Sequence, residues 1–155
     1  MRYVALVLIV LFAGCSTKQY ERKPKMVTLK TPQIKFADLG YLSSSNGGVQ
    51  LELYVVGKAL LGIEIDGMVC VRGEGCMTKS SFNDTYLYDA YPPDLLKNIL
   101  LGKPIYNGEG VQRSDGEFSQ TIKTPEVDIR YIVNRYQTYF KDRKNNILIK
   151  IKDTK

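Results

Sequence analysis

The chain has 155 residues, 22 basic and 16 acidic, for a net charge of +6, and it contains neither His nor Trp. Without His there is no His-based catalytic triad, no His-ligated zinc and no use of the commonest general acid–base. No catalytic residue, metal-ligand set or cofactor is assigned on sequence, and the chain is read as a binding or structural protein of one domain rather than an enzyme.

The N-terminus reads MRYVALVLIVLFAGC. Arg2 supplies a short positive region, Val4 to Phe12 is an unbroken apolar run, and Ala13 and Gly14 are small. This layout predicts a secretory signal peptide over 1–14, too short to span a bilayer as a helix. "FAGC" resembles the bacterial lipobox, and that resemblance implies a lipidated Cys15 carrying acyl chains as the first residue after cleavage. More than one acyl chain is what stable anchoring requires. Ser16 in place of Asp points to the outer membrane, with the domain facing the periplasm.

Cleavage after Gly14 leaves 141 of the 155 residues, with 21 basic against 16 acidic side chains and a net charge of +5. Export argues against nucleic acid as a partner, as does the lack of aromatic–basic repeats. Lys18, Arg22, Lys23, Lys25 and Lys30 follow the anchor closely. Two readings stand for them: contact with anionic headgroups, or a merely solvated tether. Residues 15–32 are polar, basic and interrupted by Pro24 and Pro32, which predicts a flexible tether ahead of a domain over 33–155.

Ile34–Leu42 and Val49–Val56 are strand-like runs separated by "SNGG". Gly57-Lys58 suits a turn into Ala59–Ile65. Asp66-Gly67 is the signal for a two-residue type I′ turn. That turn sets Ile65 against Met68 and Ile63 against Cys70, with Val69 and Val71 on the other face beside Glu64. Val49, Leu51 and Leu53 then fall out of step with Leu61 and Ile63. Either a bulge corrects the register or the sheet is apolar on both faces.

Residues 77–102 read as helical. Ser80 or Ser81 is the expected start of a short first helix through Phe82 to Leu87. "PPDLLKNILLG" is the clearer signal: Pro93 and Asp94 open it, Leu95, Leu96, Ile99 and Leu100 form an apolar stripe, and Gly102 follows its end. Ser114-Asp115-Gly116 marks a turn before "EFSQTIK". Val127–Val133 alternates, and "RYQTYF" and "NILIKIK" flank the polar turn Lys141–Asn146. The expected fold is α+β: a curled, half-barrel-like antiparallel sheet of about seven or eight short strands under one or two covering helices.

"VCVRGEGCMTKSS", Val69 to Ser81, holds Cys70 and Cys76. As a phosphate loop it fails, because Thr78 rather than Gly precedes Lys79. Two cysteines fall short of the four ligands of a structural metal site, and their spacing is not that of a C-x-x-C redox pair. A disulfide or two free thiols remain. The oxidising compartment and the closeness of the pair favour the disulfide, closing a loop worth roughly 2 kcal/mol.

"YPPDLLKNILLGKPI" over 91–105 resembles the central helix and exit of the LolA/LolB lipoprotein-carrier family, and the hairpin begun by "RYQTYF" resembles its closing hairpin. Departures are the missing Trp, the short domain and the cysteine pair; Leu60-Leu61 is the candidate for that family's protruding apolar loop residue. The resemblance implies a LolB-like role in which acyl chains or lipoproteins are held for outer-membrane insertion and received from a periplasmic carrier. Leu51, Leu53, Leu61, Ile63, Leu96, Ile99, Leu100, Ile129 and Tyr131 are the candidate acyl-binding residues. The alternative is a structural or protein-interaction lipoprotein of an envelope assembly, with these residues filling a closed core and another envelope protein as partner.

Overall fold

A computed structural model describes residues 21–45, 47–55 and 57–154. The signal peptide assigned to 1–14, Cys15 and Lys18 lie outside the described residues. The strands are β1 (Glu21–Lys30), β2 (Lys35–Ser45), β3 (Gly48–Val55), β4 (Lys58–Ile65), β5 (Val69–Val71), β6 (Gly75–Met77), β7 (Gln112–Ser114), β8 (Glu117–Lys123), β9 (Asp128–Asn134), β10 (Gln137–Asp142) and β11 (Ile147–Asp153). Two short helices, α1 (Lys79–Tyr86) and α2 (Leu95–Leu100), lie between β6 and β7. All the strands join one open, curled antiparallel sheet in the order β6-β5-β4-β3-β2-β1-β11-β10-β9-β8-β7. The α+β class is as expected. The described residues hold eleven strands rather than seven or eight, the additional ones being β1, β6 and β7.

β1 is the largest correction. Residues 21–30, which by composition belong to the flexible tether, instead form a central strand paired with β2 over its whole length and with β11 from Lys25 to Lys30. Val27 and Leu29 point into the core at 1% and 4% exposure. Pro24 is tolerated because it lies one residue past the end of the β11 ladder. Its carbonyl accepts the Thr154 hydroxyl at 3.4 Å on that side, so its missing N–H breaks no ladder bond. Of the basic cluster, Lys25 pairs with Asp153 and Arg22 with Glu52, so these two belong to the folded sheet.

The β4–β5 connection corrects the register. Ile65 pairs with Val69 and Ile63 with Val71, leaving a three-residue loop, Asp66 to Met68, instead of a two-residue turn. Val69 and Val71 are thereby buried beside Ile63 and Ile65, while Cys70 moves to the outer face opposite Glu64. Burial of two β-branched side chains decides this slip, at the cost of exposing Met68. Upstream the bulge reading is the one realised. The register shifts between Leu53 and Tyr54: Leu53 pairs with Leu61 and Tyr54 with Ala59, leaving Leu60 as the extra residue, 59% exposed.

The helical stretch divides in two. Thr78, not Ser80 or Ser81, caps α1, its Oγ1 accepting the Ser81 N–H at 3.1 Å. Asp94 makes no capping bond to α2 and pairs instead with Lys79 at 2.6 Å. Gly102 takes the expected position after α2 at φ +62°, and the N–H groups of Gly102 and Lys103 return to the carbonyls of Ile99 and Asn98.

The segment from α1 to β7 crosses one face of the sheet and is pinned there by buried polar groups. The Tyr91 hydroxyl donates to Asp142 at 2.7 Å, and the Tyr131 hydroxyl to the Lys103 carbonyl at 3.0 Å. Gln120 accepts the Ile105 N–H and donates to the carbonyls of Ile105 and Glu109. Asp142 is wholly buried and also receives the backbone N–H groups of Asp128, Lys144 and Asn145 and the Asn145 amide. Burial by itself pushes this carboxyl up; the hydrogen bonds from Tyr91, Asn145 and the backbone outweigh it and hold the group below its usual range.

A native value below the unfolded one means that Asp142 contributes stability above the unfolded carboxylate range, near pH 4, and that this is lost as pH falls through the lowered native value. Tyr91→Phe removes one donor to that carboxylate and is expected to cost about 1.5–3 kcal/mol at neutral pH. It also brings acid unfolding to a higher pH. Denaturant titration at pH 7 and a circular-dichroism pH titration check both.

Candidate functional site

The sheet face under the helices collects the nine residues assigned to acyl binding. Leu51 and Leu53 come from β3, Leu61 and Ile63 from β4, Leu96, Ile99 and Leu100 from α2, and Ile129 and Tyr131 from β9. All belong to one apolar cluster, fully buried except Leu61, which is half-buried against it. Rings that the sequence did not single out join them there. Tyr131 meets Phe118 and Phe140 edge-on at 5.6 and 6.3 Å, and Phe140 meets Tyr91 at 6.0 Å. Desolvation pushes the Tyr131 phenol up, and pushes that of Tyr106, in the turn after α2, to about 12. Both hydroxyls are therefore neutral hydrogen-bonding groups at neutral pH.

The opposite face carries a different arrangement. β2 and β3 stay paired only as far as Gly40 and Leu53, although β2 extends back to Lys35 and β3 onward to Val55. Beyond that point the tip of the β3–β4 hairpin leaves β2. A notch of about 660 Å³ opens there, lined by Arg22, Asp38, Leu39, Tyr41, Tyr54 and Gly57. Gly40 allows the last close pair, since a Cβ on it would stand 2.9 Å from the Glu52 carbonyl oxygen.

One wall of the notch is ordered by charge. The Glu52 carboxylate, only 9% exposed, accepts from Arg22 of β1 and from Arg72, just after β5, the latter at 2.7 Å. Arg22 also donates to the Tyr54 hydroxyl at 3.1 Å and lies 4.8 Å from the centre of the Tyr41 ring. The Tyr54 hydrogen bond, then Glu52, raise the Arg22 guanidinium further above neutral pH. Tyr41 and Tyr54 meet edge-on at 5.6 Å. Met26, which is exposed, pairs with Leu39 of the lining, and Val55 and Leu60 are exposed further along, near the hairpin tip. Sequence reasoning missed the notch. Its one visible signal was the parity break between β3 and β4.

The Val69–Ser81 stretch becomes a small hairpin followed by a helix start. Cys70 and Cys76 face each other across β5 and β6 and are bonded. Gly73–Ser80, once a phosphate-loop candidate, is thus turn, strand and cap. Glu74 in its turn accepts the Tyr86 hydroxyl, which ties the hairpin to α1 and raises that phenol. Among the described residues no group of three or more His, Cys, Asp or Glu side chains is placed to hold a metal, and no helix is long and apolar enough to cross a membrane.

No protein-family model matches the chain, and no curated protein matches it.

Replacing both cysteines, Cys70→Ser with Cys76→Ser, is expected to lower stability by roughly 2 kcal/mol through the freed loop entropy. Denaturant midpoints with and without reductant test this, and reduction of the native protein should add about 2 Da in mass. Equal midpoints for the oxidised and reduced protein would contradict it.

Proposed function

We propose that the chain is a lipid-anchored protein of the bacterial envelope, held at the outer membrane and facing the periplasm, that works by binding another envelope protein rather than by catalysis. The observation that carries this reading is the notch. An ordered Arg–Tyr wall stands open there beside the exposed Met26, whereas the opposite face of the sheet is covered and tied down. A partner's extended segment can lie along the part of β2 that β3 leaves, with Tyr41 and Tyr54 as aromatic anchors. The lipobox resemblance at Cys15 supplies the anchor.

A second reading has its own support. The nine residues assigned to acyl chains belong to one apolar cluster between the sheet and the segment that covers it, the arrangement a LolB-like carrier of acyl chains or lipoproteins needs. For cargo to enter, the helical segment has to leave the sheet and the Tyr91–Asp142 and Tyr131–Lys103 bonds have to break. Those costs favour the first reading.

Photo-crosslinking in intact envelopes separates the two. A crosslinker at Leu39 is expected to capture one envelope protein in stoichiometric yield. Tyr54→Ala should weaken that capture by about 30-fold, the equivalent of a 2 kcal/mol anchor residue, and Lys144→Ala should not. Capture indifferent to Tyr54, together with lipid or lipopeptide retained in native mass spectrometry, would favour the carrier.

A further inference from the structure

Two exposed apolar side chains stand away from the notch: Met68 at 47% and Tyr136 at 68% exposure. Strand pairing puts both on one end of the sheet. β1 enters at this end, Glu21 opposite Ser44. Met68 lies on the β4–β5 loop there, beyond the Ile65–Val69 pair. Tyr136 lies on the β9–β10 turn, beyond the Asn134–Gln137 pair; Gln137 leads through Lys152 of β11 to Met26, midway along β1, so this end of the sheet steps along the strands between Met68 and Tyr136. The β7–β8 turn is on the same rim.

Cations accompany these side chains. The Arg135 side chain is 71% exposed, and its guanidinium stands 5.5 Å from the Tyr136 ring centre. Arg113, exposed on β7, lies 5.5 Å from the Phe118 ring. An amphipathic ring, a thioether and long-stemmed arginines at a loop rim suit the boundary between headgroups and acyl chains.

The length of chain before β1 selects this end. Residues 16–20 separate Cys15 from Glu21. Fully extended, they reach about 20 Å. β1 itself carries the sheet about 30 Å further, away from that point.

We infer that the rim bearing Met68, Arg135 and Tyr136 rests on the anionic bilayer surface that holds the Cys15 lipid. The inference rests on the lipid-anchor reading and adds an orientation to it. β1 rises from the membrane, and the β3–β4 hairpin tip beside the notch points away into the periplasm, where a partner can reach it. The ion pair between Arg135 and Glu117, at 3.7 Å, is loose and solvent-exposed, so anionic headgroups can compete for the guanidinium.

The absence of Trp makes this testable with single indoles. Tyr136→Trp and, at the far end, Val55→Trp are made in the full chain, purified with its lipid and reconstituted into phosphatidylethanolamine–phosphatidylglycerol vesicles with brominated acyl chains. The indole at 136 should lose roughly half its emission, since interfacial groups settle about 5–10 Å into the boundary. The one at 55 should keep its emission. Met68→Trp is a second reporter on the same rim and should be quenched likewise. Quenching at 55 but not at 136 or 68, or none at any position in a chain whose acylation at Cys15 mass spectrometry confirms, overturns the orientation alone. A chain without acyl groups on Cys15 overturns the orientation and the anchor together.

Discussion

The ladder between β1 and β11 is the constraint on which the rest depends. These strands come from opposite ends of the described chain, and among the described residues no other strand pairing joins the two halves of the sheet, β2–β6 on one side and β7–β10 on the other. Val27 lies opposite Ile151 and Leu29 opposite Ile149, all four buried. Without this ladder the covering segment would still link the halves, but each would expose a strand edge in the middle of the molecule. The loop closed by this pairing spans nearly the whole domain. Closure entropy grows only slowly with length, so a six-pair ladder with two inward apolar pairs is an adequate return for it. The same long separation makes this the kind of pairing that is intrinsically slow to form.

The covering segment solves the problem that an open curled sheet leaves. It leaves one edge strand, β6, and returns at the other, β7, so its path runs from rim to rim over the apolar face. Apolar packing fills the interface, but the buried polar groups fix the path. Asp142 and Gln120 each engage a group of the crossing chain that would otherwise be buried without a partner, and the crossing chain in turn gives the buried Tyr131 hydroxyl its acceptor at the Lys103 carbonyl. Both edge strands have three residues, which leaves little backbone free to pair with another molecule. At β6 the disulfide adds a covalent tie to that short edge.

Much of this was legible in the sequence because burial imposes strict alternation. The Val127–Val133 strand, the last strand of the terminal hairpin and the α2 stripe were readable since the inward face of each is apolar, whereas β10 turns Thr138 and Asp142 inward beside Phe140. β1 was not, because it offers just two inward apolar residues among lysines and a proline. Its place is decided by partners more than a hundred residues away, at Ile149 and Ile151. Nor was the slip at Asp66–Met68, where a strong local turn signal yields to the burial of Val69 and Val71. The Tyr91–Asp142 bond joins residues fifty-one apart, and no spacing rule announces such a pair. Of the candidate site, the nine apolar residues were found together, whereas the notch was not, since it consists of an absence of pairing that only the register reveals.

That register links the core to the outer face. The bulge at Leu53–Tyr54 exists because Val49, Leu51 and Leu53 must share a face with Leu61, Ile63 and Ile65. An extra residue restores the phase, and the hairpin beyond it twists out of line, as bulged strands do. It therefore cannot continue alongside β2, and the notch opens where their pairing ends. Leu60 is exposed for the same reason, being the residue the correction leaves over. Arg22 and Glu52 then hold the wall of the notch to strands β1 and β3, which the core keeps fixed. A substitution that removed the need for the bulge would thus be expected to close the notch as well, because inward packing and outward site follow from one count of residues.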